Sequence, residues 1–254
     1  MSVSETIFLF SLVLARITPV LIFKSINPIS MLPLYLKLIL TLVITFLIIG
    51  TGIDSTGIDL VDDELDIGFI LTSLLTEAFI GSVLWFALMA AYGALVTMLT
   101  LLDMQVGFNP MGVFNPSTSE SDPNLARVVL IFFYLMFFIT DIHHKLIEFL
   151  VGTLRVYPIL SGIGDVSISQ LLAIFFAQFV LAIMLIIPVV MAIFWVELIF
   201  GMCNRMMPQV NIYFVGLPVK ILIAIIVLSH SANHVVVVTE SMFNKMLEFF
   251  YSIF

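Results

Sequence analysis

The feature that most limits how this chain can fold is a stretch of 36 residues, Ile67–Leu102, interrupted by a single charge, Glu77. A second stretch, Ser169–Met202, runs for 34 residues and carries only Glu197. A helix of a soluble domain needs a polar face toward water, and neither run provides one. About 20 apolar residues suffice for a helix to cross a bilayer core. There every backbone N–H and C=O must pair within the protein, which favours helix. Composition agrees, with 62% hydrophobic and 10% charged residues, where soluble domains carry about a quarter charged. The expected fold class is an all-α integral membrane protein.

Further apolar runs follow the same logic. Thr6–Phe23 contains Arg16, and the Met1–Glu5 segment before it has no base and no small-residue cleavage pattern after it, so a retained first helix is expected. Pro33 stands where a helix could begin, and Leu34–Gly50 is the second run. Ile67–Leu102 reads either as one long tilted helix or as two meeting near Ala90–Gly93. Leu125–Thr140 and Leu146–Val156 flank a polar step, Asp141-Ile142-His143-His144-Lys145. Pro188 predicts a kink in Ser169–Met202. Val219–Val238 reads as the last long helix, and Met242–Phe254 as an amphipathic segment suited to an interface.

Charge excludes one class of partner. The net charge is −8, and Asp54, Asp59, Asp62, Asp63, Glu64 and Asp66 put six of the 17 acids in one loop without a base. Nucleic acid requires clustered Lys and Arg, so none is expected; a solvated loop is the plain reading. The single cysteine, Cys203, excludes an internal disulfide and a Cys-based metal cluster. His230 and His234 share a helical face, but no nearby acid or Cys completes a metal set. His143 and His144 read as capping or snorkelling residues, so no metal and no cofactor is expected. No nucleophile elbow, P-loop, dinucleotide fingerprint or HExxH motif occurs, and no catalytic residue is assigned.

Arg16, Glu77, Glu197 and Lys220 lie in or beside apolar runs. A charge at the centre of a membrane helix costs about 2.5–3.5 kcal/mol on insertion scales. Such groups pair, face water or meet a partner subunit. An ion relay is the alternative, but these acids and bases form no ladder.

The segment Asp103–Pro123 differs in kind. Gly107, Asn109, Pro110, Gly112, Asn115, Pro116 and Pro123 preclude a continuous helix. Yet Met104, Val106, Phe108, Met111, Val113 and Phe114 give it more bulk than a surface loop needs. Irregular backbone at membrane depth lines a cavity or is buried in protein. Two readings stand: a plug whose bulky groups dewet a pore, or a buried re-entrant connection.

Three stretches resemble one family. Asn204-Arg205-Met206-Met207-Pro208-Gln209-Val210-Asn211, continuing through Gly216, Pro218 and Lys220, is similar to an NR-x-x-PQ-x-N-x-x-x-x-G-x-P-x-K signature. Met104-Gln105-Val106-Gly107 through Asn115-Pro116 is similar to a Q-M-G segment ending in Asp-Pro. Asp141-Ile142-His143-His144 is similar to a DGHH element. These are marks of the FliR family of bacterial flagellar export-gate subunits, whose injectisome counterpart is the SctT family. Order, spacing and length match over essentially the whole chain. Asn115 stands where the family has Asp, and Ile142 where it has Gly, so the turn at Ile142 need not be one that only Gly adopts.

The resemblance implies an export gate built of long kinked helical hairpins and closed by FliR with FliP and FliQ. Contacts to FlhB and FlhA, passage of unfolded flagellar proteins, and a place in the inner membrane at the flagellar basal body are also implied. Residues 1–254 would form a single membrane domain. About 1–125 would be FliP-like first helices with the pore loop 103–123, and about 124–254 the remaining hairpins. Gly107, Phe108, Pro110, Met111, Gly112, Phe114 and Pro116 map to the plug. Arg16, Glu77, Arg205, Gln209 and Lys220 map to subunit contacts or buried ion pairs. Energy would come from a partner ATPase and the proton gradient, the chain itself being no enzyme. An injectisome subunit and a small-solute or ion transporter are the competing functions, although the broken apolar segment has no twin of the kind transporter repeats provide.

Overall fold

The computed structural model describes residues 3–26, 28–50, 67–107, 124–160, 167–207 and 212–253. Among them the chain is all helical: α1 (Val3–Ile22), a 3-10 turn (Pro28–Met31), α2 (Leu34–Gly50), α3 (Ile67–Val106), α4 (Asn124–Ile139), α5 (Ile142–Val156), α6 (Ile168–Met206), α7 (Ile212–His230) and α8 (Ala232–Ile253). Three helices, within α1, α3 and α6, are long and apolar enough to cross a membrane. Counting the bent pairs α4–α5 and α7–α8 as one span each raises that to five.

Several hydroxyls in these apolar helices bond a carbonyl of their own helix. Thr41 Oγ1 donates to the Lys37 carbonyl, Thr45 to Thr41 and Thr239 to Val235, each one turn back. This back-bonding lets a buried threonine persist where water is absent. Helix α2 begins as Pro33 predicts, with the Pro33 carbonyl accepting from Leu36 N and Lys37 N. The Lys37 ammonium turns back to the Ile22 carbonyl at 3.1 Å and covers the C-terminal end of α1.

Helix α3 is one continuous element of 40 residues, which decides between the two readings of that run. At 1.5 Å per residue it extends roughly 60 Å, about twice a hydrocarbon core. Its end is set by Gly107, with φ 86 and its N–H on the Asp103 carbonyl at 3.0 Å. That is the left-handed glycine stop of many helices.

Two expectations are corrected. Val219–Val238 is not one helix: α7 stops at His230, and α8 leaves at 67°. The polar run His230-Ser231-Ala232-Asn233-His234 interrupts the apolar pattern there, and run length alone conceals it. Met242–Phe254 does not lay an apolar face on an interface, because Met242, Phe243, Met246 and Phe249 are buried inside the chain. His143 and His144 follow the end of α4 and sit in the first turn of α5. The 69° break between α4 and α5 turns at Asp141, whose φ is 55. Aspartate visits this conformation more readily than most residues, so position 142 needs no glycine.

The chain divides into two compact units. One comprises residues 1–92, 137–175 and 244–254, the other residues 93–136 and 176–243. In the first, Val13, Ile17 and Leu21 of α1 pack with Ile48 of α2 and Leu154 of α5. In the second, Leu95, Leu99, Leu102 and Val106 of α3 are buried at three- and four-residue spacing. Ala182, Leu185, Val189 and Ile193 of α6 are buried in the same rhythm. The opposite side of α6 exposes Ile183, Ile187, Met191, Phe194, Trp195 and Leu198, an apolar face without cover among the described residues.

Candidate functional site

The first unit is organised around a buried charge. Arg16, in α1, places Nε 2.5 Å from Glu77 Oε2 of α3, and the two side chains are 1% and 2% exposed. Arg16 Nη1 donates to the carbonyls of Thr153 and Tyr157, at 3.2 and 2.8 Å. These are acceptors at the C-terminal end of α5, where helix carbonyls are left over and the dipole is negative. Glu77 Oε1 accepts from Leu160 N at 3.3 Å, and Leu160 holds a φ of 71. A leucine in the left-handed region is strained by about 1–3 kcal/mol, so its N–H is fixed where the backbone would otherwise relax. One ion pair thereby ties α1, α3, the end of α5 and the turn beyond it. Among the described residues, Arg16 Nη2 is buried with no hydrogen-bond partner.

Close approach of the helices makes this geometry possible. A Cβ at Gly81, one turn beyond Glu77, would lie 2.1 Å from the Arg16 carbonyl oxygen. Only a glycine lets the α1 and α3 backbones touch there. Sequence reading marked Arg16 and Glu77 but passed over Gly81, although its spacing of four from Glu77 puts both on one helical face.

The second unit carries a different pair. Lys220 Nζ of α7 lies 2.5 Å from Glu197 Oε1 of α6, with the lysine side chain 21% and the glutamate 44% exposed. Phe194, Trp195, Leu198 and Ile199 around Glu197 are exposed as well. The pair therefore sits on an apolar face rather than inside a core. Arg205 is exposed in the last turn of α6, and Gln209 lies outside the described residues.

His234, on α8, has a role that sequence reading missed. Proline has no N–H, so Pro188 inside α6 cannot bond the carbonyl one turn back, which belongs to Met184. His234 Nε2 lies 2.9 Å from that Met184 oxygen. The imidazole supplies the donor that the helix lacks, which assigns its proton to Nε2. The readable signal was a proline with a histidine elsewhere in apolar surroundings, but nothing in the sequence joins the two.

Of the predicted plug, Gly107 is described. A Cβ there would lie 2.5 Å from Leu217 Cδ2, the end of a side chain that can turn aside, so it is the positive φ that favours glycine. Phe108, Pro110, Met111, Gly112, Phe114 and Pro116 lie outside the described residues.

Comparison with known proteins decides the family. Residues 7–246 match the family described as "Bacterial export proteins, family 1". The chain belongs to this export family. Members similar to it include the "Flagellar biosynthetic protein FliR" of Bacillus subtilis, 26% identical over 189 residues, covering 73% of each chain. The Escherichia coli protein of the same description is 28% identical over 160 residues, which is 62% of this chain and 60% of that relative. The one from Buchnera aphidicola of Schizaphis graminum is 23% identical over 219 residues, covering 86% of this chain and 83% of its own. The resemblance to FliR expected from three motifs thus holds across the chain, and the family is one of export components. With its apolar helices, this family member is a membrane-embedded component of a flagellar export apparatus.

Proposed function

We propose that this chain is the FliR-like subunit of a flagellar export gate in the inner membrane. It assembles with FliP and FliQ, meets FlhB and FlhA, and closes a conduit for unfolded flagellar proteins with its Gly107–Pro116 segment. The observation that carries this reading is the family match over residues 7–246 on a chain of long apolar helices. Two structural facts support it. Apolar side chains along α6 and α2 are uncovered in the isolated chain, as subunits of an assembly require. Gly107 ends α3 just before a segment rich in Phe, Met, Gly and Pro, whose bulk suits a seal and whose glycines suit displacement. The flagellar system is favoured over the injectisome by the descriptions of the relatives.

The test is a strain whose Gly107–Pro116 segment is shortened by four residues. Export of hook and filament proteins into the medium is measured together with ion leak across the membrane. The expected outcome is raised leak with impaired or unregulated export. Normal export with no added leak would remove the plug. Separately, purification in mild detergent should yield the chain with two other small hydrophobic subunits.

A further inference from the structure

The break between α4 and α5 gathers three metal-ligating side chains. Asp141, His143 and His144 each offer a ligand atom, and all three atoms lie within 4.8 Å of one another. Asp141 Oδ1 is 3.5 Å from His144 Nδ1. The two imidazole rings are 4.0 Å apart between centroids.

The geometry points to a binding site for a divalent transition-metal ion of the zinc class, held by Asp141, His143 and His144. Four observations carry this. The left-handed backbone at Asp141 turns the carboxylate toward the first turn of α5, and that carboxylate makes no capping bond to the helix. His143 is fixed against Phe138 and Phe137, with ring centroids 5.5 and 6.4 Å away, so one ligand is held in place. His143 Nδ1 is buried and finds no hydrogen-bond partner among the described residues. An imidazole nitrogen left so is unsatisfied, and a metal or its bound water is a partner for it. Asp141 and His144 are 74% and 72% exposed, so the other two ligands are free to adjust.

Chemistry selects the ion. Imidazole with carboxylate suits Zn, Ni, Co or Cu, whereas all-oxygen sets suit Mg and Ca. Ligand atoms about 2.0–2.1 Å from a tetrahedral zinc lie about 3.4 Å from each other. The present spread of up to 4.8 Å exceeds that by about 1.4 Å, which rotation of the two exposed side chains closes. Three protein ligands leave positions for water, as in open zinc sites. A helix N-terminus repels cations, and the Asp141 carboxylate offsets that repulsion.

The test uses the full-length, tag-free chain in detergent, titrated with Co(II) and followed by visible absorption. A ligand-field band that saturates at one cobalt per chain and is displaced by Zn(II) is expected. His144→Ala and Asp141→Asn, both at exposed positions, weaken binding at least about tenfold, in the range seen when a metal site loses a supporting group. His230→Ala, on α7, leaves it unchanged. Unaltered helical circular dichroism in His144→Ala separates lost ligation from lost fold. No band with the wild-type chain, or a band of equal affinity in His144→Ala, would overturn the proposal.

Discussion

Arg16 shows how a single charge can organise an apolar unit. Burying a guanidinium is costly unless its donors find acceptors, and Arg16 meets Glu77 and two carbonyls at the end of α5. Removing one partner of such a pair costs about 3–5 kcal/mol, because the other charge is left buried and alone. Glu77→Leu is therefore expected to lower the thermal midpoint of the chain in detergent sharply. The double variant Arg16→Met with Glu77→Leu recovers most of the loss, and melting curves of the single and double variants check this. Gly81→Ala should cost about 1–3 kcal/mol, the range for forcing atoms into a packed contact. The same curves read it, with no gain from compensating changes at exposed sites. Both charges were legible as expensive residues, yet their pairing spans 61 positions and follows from packing that no local pattern encodes.

At the scale of elements, apolar runs located the helices well, since lipid and protein interiors alike demand internal hydrogen bonds. What they did not reveal was where a run changes direction. Ser231 turns the chain although its neighbours read as helix, and Asp141 turns it by adopting a conformation available to few side chains. The Pro188 defect shows the same limit. Its consequence is met 46 positions away by His234. His234→Ala removes the donor to the Met184 carbonyl and should cost about 0.5–1.5 kcal/mol, the net worth of one hydrogen bond. In a Pro188→Ala background, where the residue at 188 can donate its own N–H, the same substitution should cost little. A double-mutant cycle of thermal stability measures that coupling; additive effects would show that His234 does not serve the broken rung.

For the whole molecule, the exposed apolar faces matter more than the cores. Glu197 and Lys220 put a charged pair on such a face, and charge facing hydrocarbon is costly. That face is suited to a protein neighbour. Lys220→Met, which strands Glu197, should reduce the amount of assembled complex recovered in mild detergent, and adding Glu197→Leu should restore part of it. Quantifying co-purified subunits checks both. Family and fold class were legible because motifs and hydropathy run the length of the chain. The candidate site was legible only as separate residues, and the described residues do not extend to most of the segment proposed as the plug.

The length of α3 has a consequence for how a cell must make this protein. About 30 Å of that greasy rod has no room in a bilayer that it crosses upright. A copy synthesised ahead of its sisters would have to lie aslant, pinch the surrounding membrane or leave its surplus in water. Supply must then be matched to demand, and an orphaned copy is a natural substrate for the proteases that clear the membrane of unassembled chains.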